Sequence, residues 1–311
     1  MTTIAFVGLG IMGGPMAANL VSAGYDVVGY NRSRPAVDRL IAHGGRGADS
    51  VAEAVAEADV VITMVPDSPD VEEVACGEDG IYAHAKQGTL HIDCSTIRPD
   101  VAQRVAEAGR DRGLRVLDAP VSGGESGAVE ATLSVMVGGD DEDVEAARPI
   151  LEALGKTVVH VGPAGSGQTV KAANQLLVAG TIELVAEAVV FLEAHGVDTR
   201  SAVKVLAGGL AGNAILDRKA AGMLDRTFTP GFRVDLHHKD MGIVTSAARA
   251  AGVAIPLGAH VAELLGSVRA QGHGDLDHTA LLLLVEQLSG RSPADSADPA
   301  PVDPAPIDKE A

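Results

Sequence analysis

Tryptophan is absent from this 311-residue chain, and only three tyrosines and four phenylalanines are present. Any core must therefore be built from Ala, Val, Leu and Ile, and aromatic platforms for stacking nucleic-acid bases are not expected. Cations are also short: 24 Lys and Arg stand against 42 Asp and Glu, a formal charge of −18. That balance repels DNA, RNA and anionic lipid surfaces, so neither a nucleic-acid nor a membrane partner is expected. It repels a small anionic ligand too, which would need locally placed cations or backbone N–H groups. The two cysteines, Cys76 and Cys94, sit in unrelated contexts without metal-ligand spacing and are expected as reduced thiols of a cytoplasmic protein. No basic leader precedes the strand-like segment at 3–7, so no secretion signal is expected. A membrane span is not expected either, because Glu183, Glu187 and Glu193 interrupt the best apolar run.

The chain is long enough for two domains with separate cores. Its first half alternates short β-branched runs with amphipathic stretches. Strands are expected at 4–7, 26–30, 60–64, 90–93, 115–118, 133–137 and 158–161, with helices at 15–22, 36–42, 51–56 and 99–112 between the early ones. That order belongs to the α/β class, as a doubly wound parallel sheet. After Gly162-Pro163 strand signals stop, and six helical blocks follow at 166–195, 199–207, 212–224, 238–251, 257–270 and 278–289. The expected organisation is a nucleotide-binding sheet domain over 1–162 and an all-α domain over 163–290, joined through the long first helix. Residues 291–311 are rich in Pro, Asp and Ala, bury too little apolar surface to order themselves, and are expected as a disordered tail.

Gly8-Leu9-Gly10-Ile11-Met12-Gly13 forms a G-x-G-x-x-G that follows a hydrophobic strand, opens a helix and precedes a second strand. In that context it is a Rossmann-type dinucleotide fingerprint: Gly8 for the tight turn, Gly10 for backbone approach to a pyrophosphate, Gly13 for helix–strand packing. The helix N-terminus adds a favourable dipole. An NAD site usually carries an acid at the end of the second strand; here Asn31 replaces it and Arg32 follows, with a fork suited to phosphate. NADP(H) is therefore the favoured cofactor and NAD(H) the alternative. Arg32 as a solvated loop residue is the competing explanation.

Lys171, Asn174 and Gln175 fall at i, i+3 and i+4, on one face of the expected long helix. A lysine in a helix is ordinarily a solvated charge, but the apolar, amide-bearing turn around this one favours a buried proton donor. Asp118-Ala119-Pro120-Val121-Ser122-Gly123-Gly124 lies at a strand end, where open α/β sheets bind ligands. Its paired glycines could present N–H groups to a carboxylate beside the Ser122 hydroxyl; a plain turn is the alternative. His237 and His238, with Asp235 and Asp240 nearby, are not expected to hold a metal, since adjacent histidines point to different faces of a helix or strand.

The motif at 8–16, the 118–124 stretch, Gly167-Gln168 through Gln175, and Lys239-Asp240 together resemble the β-hydroxyacid dehydrogenase family, over residues 3 to about 290. The resemblance implies Lys171 as general acid toward a carbonyl oxygen, stabilising the developing alkoxide as well. It implies Asn174 as the group that holds the substrate in register with Gln175 in support, and Ser122, Gly123 and Gly124 as carboxylate binders. Thr96 would stand beside the nicotinamide ribose, Met64, Val65 and Pro66 over the adenosine side, and Lys239 would reach the cofactor or substrate from the helical domain. The implied activity is NAD(P)H-dependent reduction of a small anionic semialdehyde, tartronate semialdehyde to glycerate before others. A dehydrogenase of 3-hydroxyisobutyrate or another short β-hydroxyacid is the enzymatic alternative, and a non-catalytic nucleotide-binding regulator the alternative of another class. A homodimer or homotetramer is expected, because the long helix would bury more surface with a partner.

Overall fold

The computed structural model describes residues 1–291, so the expected tail lies, apart from Arg291, outside the described residues. Among the described residues nine strands form one sheet: β1 (Thr3–Val7), β2 (Asp26–Tyr30), β3 (Arg46–Gly47), β4 (Val60–Thr63), β5 (Leu90–Asp93), β6 (Arg115–Asp118), β7 (Val121–Ser122), β8 (Leu133–Gly138) and β9 (Gly155–Gly162). The first six run parallel in the order β3-β2-β1-β4-β5-β6. β1 is apolar and buried from Ile4 to Val7 because both of its faces are covered, as a central parallel strand requires. Ile4 and Phe6 enter one buried layer with Leu20, Ile62 and Ile92, while Ala5 and Val7 enter the other with Val55, Val61 and Val71.

The sheet is not parallel throughout: β8 pairs antiparallel with both β6 and β7, then parallel with β9. The link from β6 to β7 (119–120) and the link from β7 to β8 (123–132) are each shorter than the dozen or so residues that a parallel crossover needs. β3 and β7 each have two residues, too few for alternation to register in a sequence. Helices Ser68–Cys76, Ile81–His84, Gly124–Val129 and Asp141–Glu152 were also not anticipated. The last of these opens on Asp141, Glu142 and Asp143, charges that suit a helix N-terminus, and contains Pro149, which reads as a breaker.

The helical region comprises Ser166–Ala194, Thr199–Ala207, Ala214–Leu224, Val234–Ala250, Pro256–Val268 and Leu281–Leu288. The fourth begins four residues before the expected 238, because Val234 N–H is bonded to Leu276 O and the chain turns helical at once. Two compact units divide the chain, Met1–Gln175 with Ser246–Val253, and Leu176–Thr245 with the described residues from Ala254 on. The division by contacts falls inside the long helix, since its first turns are bonded to the sheet, as set out below. The helical unit is built around Ile182, Ala186, Val189, Leu216, Met223, Met241, Leu265 and Leu281, all buried. Within it, Arg226 grips Glu193 through two nitrogens at 2.7 and 2.8 Å and also bonds Glu286, all three side chains being largely buried.

By length and composition the helix Ser166–Ala194 could cross a bilayer, its glutamates notwithstanding, but 44% of its most apolar window is buried within the fold. Cys76 and Cys94 are both free thiols.

Candidate active site

The strand order reverses direction between β1 and β4, so the carboxyl ends of these two strands open a crevice. The loop leaving β1 enters it. Gly8 sits at φ +100°, and an added Cβ would overlap the Met64 carbonyl oxygen; one on Gly13 would overlap the Gly8 carbonyl. Gly10, in contrast, has nothing within 4 Å of where a Cβ would stand. Leu9 is buried and its N–H donates to Asn31 Oδ1 (3.0 Å), while Asn31 Nδ2 donates to Ser33 O (3.2 Å). Asn31 thus holds the loop closed. Ile11 is exposed and Met12 packs partly on the core. The helix Gly13–Ser22 has no side-chain cap and no acid in its first turn, leaving its dipole for an anion. Three glycines and an uncapped helix start fit a dinucleotide pyrophosphate. Arg32 is 82% exposed, with Asp70 Oδ1 at 4.0 Å, whereas Arg34 is engaged by Asp38 and Asp49 at 3.0 and 2.7 Å.

The next strand ends are tied together by buried polar groups. Thr63 Oγ1 donates to Asp93 Oδ1 (2.7 Å) and lies 3.0 Å from His91 Nε2, whose Nδ1 is 2.9 Å from the Tyr82 hydroxyl. Complete burial pushes His91 down to about 4, so the ring is neutral near pH 7. Val65 N–H donates to Ser95 Oγ (3.0 Å), which joins the 64–66 loop to the loop carrying Thr96. Met64, Val65 and Thr96 are half-buried and Pro66 is exposed.

At the end of β6, Asp118 caps the long helix, its Oδ1 accepting from Gly165 N–H (2.7 Å) and its Oδ2 from Gln168 N–H (2.9 Å). Burial raises this carboxyl to about 6; the two N–H bonds oppose the rise and the neighbouring Asp93 charge adds to it. A side chain on Gly138 would strike Asp118 Oδ1, and one on Gly167 would strike the Met136 carbonyl oxygen, so both glycines allow the helix start to lie on the sheet.

One turn further on, the cluster anticipated from spacing assembles. Lys171 Nζ donates to Gln175 Oε1 (3.0 Å), Asn174 Nδ2 donates to the same oxygen (2.8 Å), and Ser122 Oγ donates to Asn174 Oδ1 (3.2 Å). Lys171 is 7% exposed, which answers the choice between a solvated and a buried lysine. Gly123 and Gly124, at φ +146° and +66°, follow Ser122 and start the helix Gly124–Val129. Lys239 belongs to the helical unit, where its Nζ lies 2.9 Å from Asp240 Oδ1. Also in that unit, His237 Nδ1 and His278 Nδ1 are 3.0 Å apart. An open cleft of about 710 Å³ there, lined by Asp235, His238, Glu263, Arg269 and Asp275, contains none of the candidate residues.

Sequence reasoning missed the supports: Asp118 as a cap, Gln168, Ser95, and the Thr63–His91–Tyr82 group. Asp118 and Gln168 stood in quoted motifs, and a buried-looking acid at a strand end was the available signal.

The chain resembles known proteins along nearly all of its described length. Residues 3–162 match the NAD-binding domain of 6-phosphogluconate dehydrogenase. Residues 165–285 match the NAD-binding domain of NADP-dependent 3-hydroxyisobutyrate dehydrogenase. The 2-hydroxy-3-oxopropionate reductase of Escherichia coli (strain K12) is 41% identical, over 92% of this chain and 98% of that protein. The NAD-dependent L-serine dehydrogenase of Pseudomonas aeruginosa is 39% identical, over 94% and 100%. Among solved structures, the Mycobacterium tuberculosis 3-hydroxyisobutyrate dehydrogenase with L-serine superposes with a TM-score of 0.82 at 40% identity, covering 92% of this chain and 99% of that one.

Proposed function

The chain belongs to the β-hydroxyacid dehydrogenase family and is an NAD(P)-dependent oxidoreductase of CH–OH groups, and from that premise we propose that it reduces tartronate semialdehyde to glycerate with Lys171 as proton donor. The observation that carries this is the hydrogen-bonded run Ser122–Asn174–Gln175–Lys171, which joins a strand-end loop to a buried ammonium. Bound reduced nicotinamide would supply the hydride. Gly8, Gly10, Gly13 and the helix they open would hold the pyrophosphate, with Met64, Val65, Pro66 and Thr96 flanking the rest. Lys171 Nζ delivers its proton to the carbonyl oxygen, and its charge opposes the alkoxide that would otherwise build up there. Gln175 orients that ammonium, Asn174 fixes the substrate oxygen, and Ser122 with the Gly123 and Gly124 N–H groups receives the carboxylate.

Relatives of nearly equal identity carry the names L-serine dehydrogenase and 3-hydroxyisobutyrate dehydrogenase, so oxidation of a short β-hydroxyacid is the second reading. Arg32, exposed and only distantly met by Asp70, supports NADPH over NADH. Two free thiols support a reducing, cytoplasmic setting. A homo-oligomer is supported by Leu177, Leu184 and Phe191, spaced by seven on the long helix and 71%, 63% and 63% exposed. Light scattering of Leu184→Glu beside wild type tests that; two identical monomeric profiles would refute it.

The decisive assay follows loss of reduced-cofactor absorbance with a panel of semialdehydes, wild type beside Lys171→Met. Turnover fastest with tartronate semialdehyde and abolished in the variant is expected. Preference for another semialdehyde discards the substrate, and a variant of near-normal activity discards the proton donor.

A further inference from the structure

Gln168 takes no part in the chemistry proposed above, yet it is among the most completely buried polar side chains of the sheet unit, at 1% exposure. Its carboxamide is used at both ends. Nε2 donates to Ser95 O (2.8 Å), and Oε1 accepts from Ile97 N–H (3.0 Å). The two backbone groups it holds lie on either side of Thr96. Its own N–H is held by Asp118 Oδ2 (2.9 Å). Gln168, Lys171 and Gln175 recur at i, i+3 and i+7, so all three face the same side of the helix, and all three are buried. Ser95 in turn binds Val65 N–H through its hydroxyl (3.0 Å) and donates its own N–H to Asp93 Oδ1 (3.1 Å). The Gln168 side chain therefore grips the loop that leaves β5, Ser95 ties that loop to the one leaving β4, and the Gln168 backbone is anchored at the end of β6.

We infer that Gln168 is a positioning residue that sets the distance between the cofactor-side loop carrying Thr96 and the helical turn carrying Lys171. Hydride arrives from one and the proton from the other, so an error in their separation lowers the rate of the chemical step without removing any reacting group. No other residue of that length offers one donor and one acceptor: glutamate lacks the donor, and leucine lacks both. The inference rests on Lys171 being the proton donor.

The test compares Gln168→Leu, Gln168→Glu and Lys171→Met in the full-length protein, reading kcat, KM and the primary isotope effect with 4-deuterated NADPH. For Gln168→Leu, kcat should fall about 100-fold, the cost of roughly 1 Å of misplacement, with an enlarged isotope effect and little change in KM. For Gln168→Glu the new carboxyl can donate to Ser95 O only when protonated, so its kcat relative to wild type should rise as pH falls. Should Gln168→Leu fail to fold, that pH-dependent ratio decides alone. A flat ratio, or wild-type kcat in a folded Gln168→Leu, overturns the inference while an inactive Lys171→Met leaves the proton donor standing. An active Lys171→Met overturns both.

Discussion

Replacing Asp118 by alanine should cost the protein more stability in acid than near neutrality. Burial raises this carboxyl from 3.8 to about 6 in the folded protein. A group raised by folding holds its proton more tightly folded than unfolded. Its contribution is therefore complete below the unfolded value and is lost as pH rises through about 6. Integrated between pH 4.5 and 7.5, that linkage amounts to about 2 kcal/mol. On the neutral side the carboxylate accepts from both Gly165 and Gln168 N–H; on the acid side the bond to the unprotonated oxygen persists and the other weakens. Removing them leaves two buried donors unsatisfied, at about 1–3 kcal/mol each. Asp118→Ala is thus expected to be less stable than wild type, by about 2 kcal/mol more at pH 4.5 than at pH 7.5. Urea unfolding followed by circular dichroism at both values, with matched slopes, measures the difference. A gap that is constant with pH, or that widens toward neutrality, refutes the burial argument.

Three further outcomes are expected. Arg32→Ala should lower the preference for NADPH over NADH about 10-fold or more, as loss of one charge-assisted phosphate contact implies; an unchanged ratio of kcat/KM values removes Arg32 from phosphate recognition. Gly8→Ala forces a side chain onto the Met64 carbonyl at φ +100°, so reduced-cofactor binding by fluorescence titration should be lost, and normal affinity would contradict the loop geometry. Arg226→Met strands Glu193 and Glu286 in a buried setting and should destabilise the helical unit by about 3–5 kcal/mol at pH 7; a loss below about 1 kcal/mol would show that water reaches the pair.

How much of this was legible in the sequence follows from the range of each interaction. β1, β2, β5 and the phosphate loop are local matters of apolar runs and glycine spacing, and they stand where periodicity put them. Lys171, Asn174 and Gln175 were visible together because helical spacing alone brings them to one face. Asp118 capping Gln168 across 50 positions, and Gln168 reaching Ser95 across 73, leave no periodic trace. The helix Asp141–Glu152 was hidden by its own charges and by Pro149, which local propensity counts against a helix that the sheet stabilises by burying Val144, Ala147, Ile150 and Leu151. Two-residue strands owe their pairing to neighbours and carry no pattern of their own.

The glycines of the nucleotide loop differ in what would release them from selection. Gly8 and Gly13 face backbone carbonyls, and a peptide oxygen cannot be exchanged for a smaller one, so no second mutation nearby can accommodate a side chain at either place. Gly10 faces open space, and only a bound dinucleotide would make a methyl group there unwelcome. In a descendant that kept the fold but abandoned its cofactor, position 10 should drift to other residues while 8 and 13 stay fixed. Substitution at that single site would then separate inheritance of the architecture from inheritance of the chemistry.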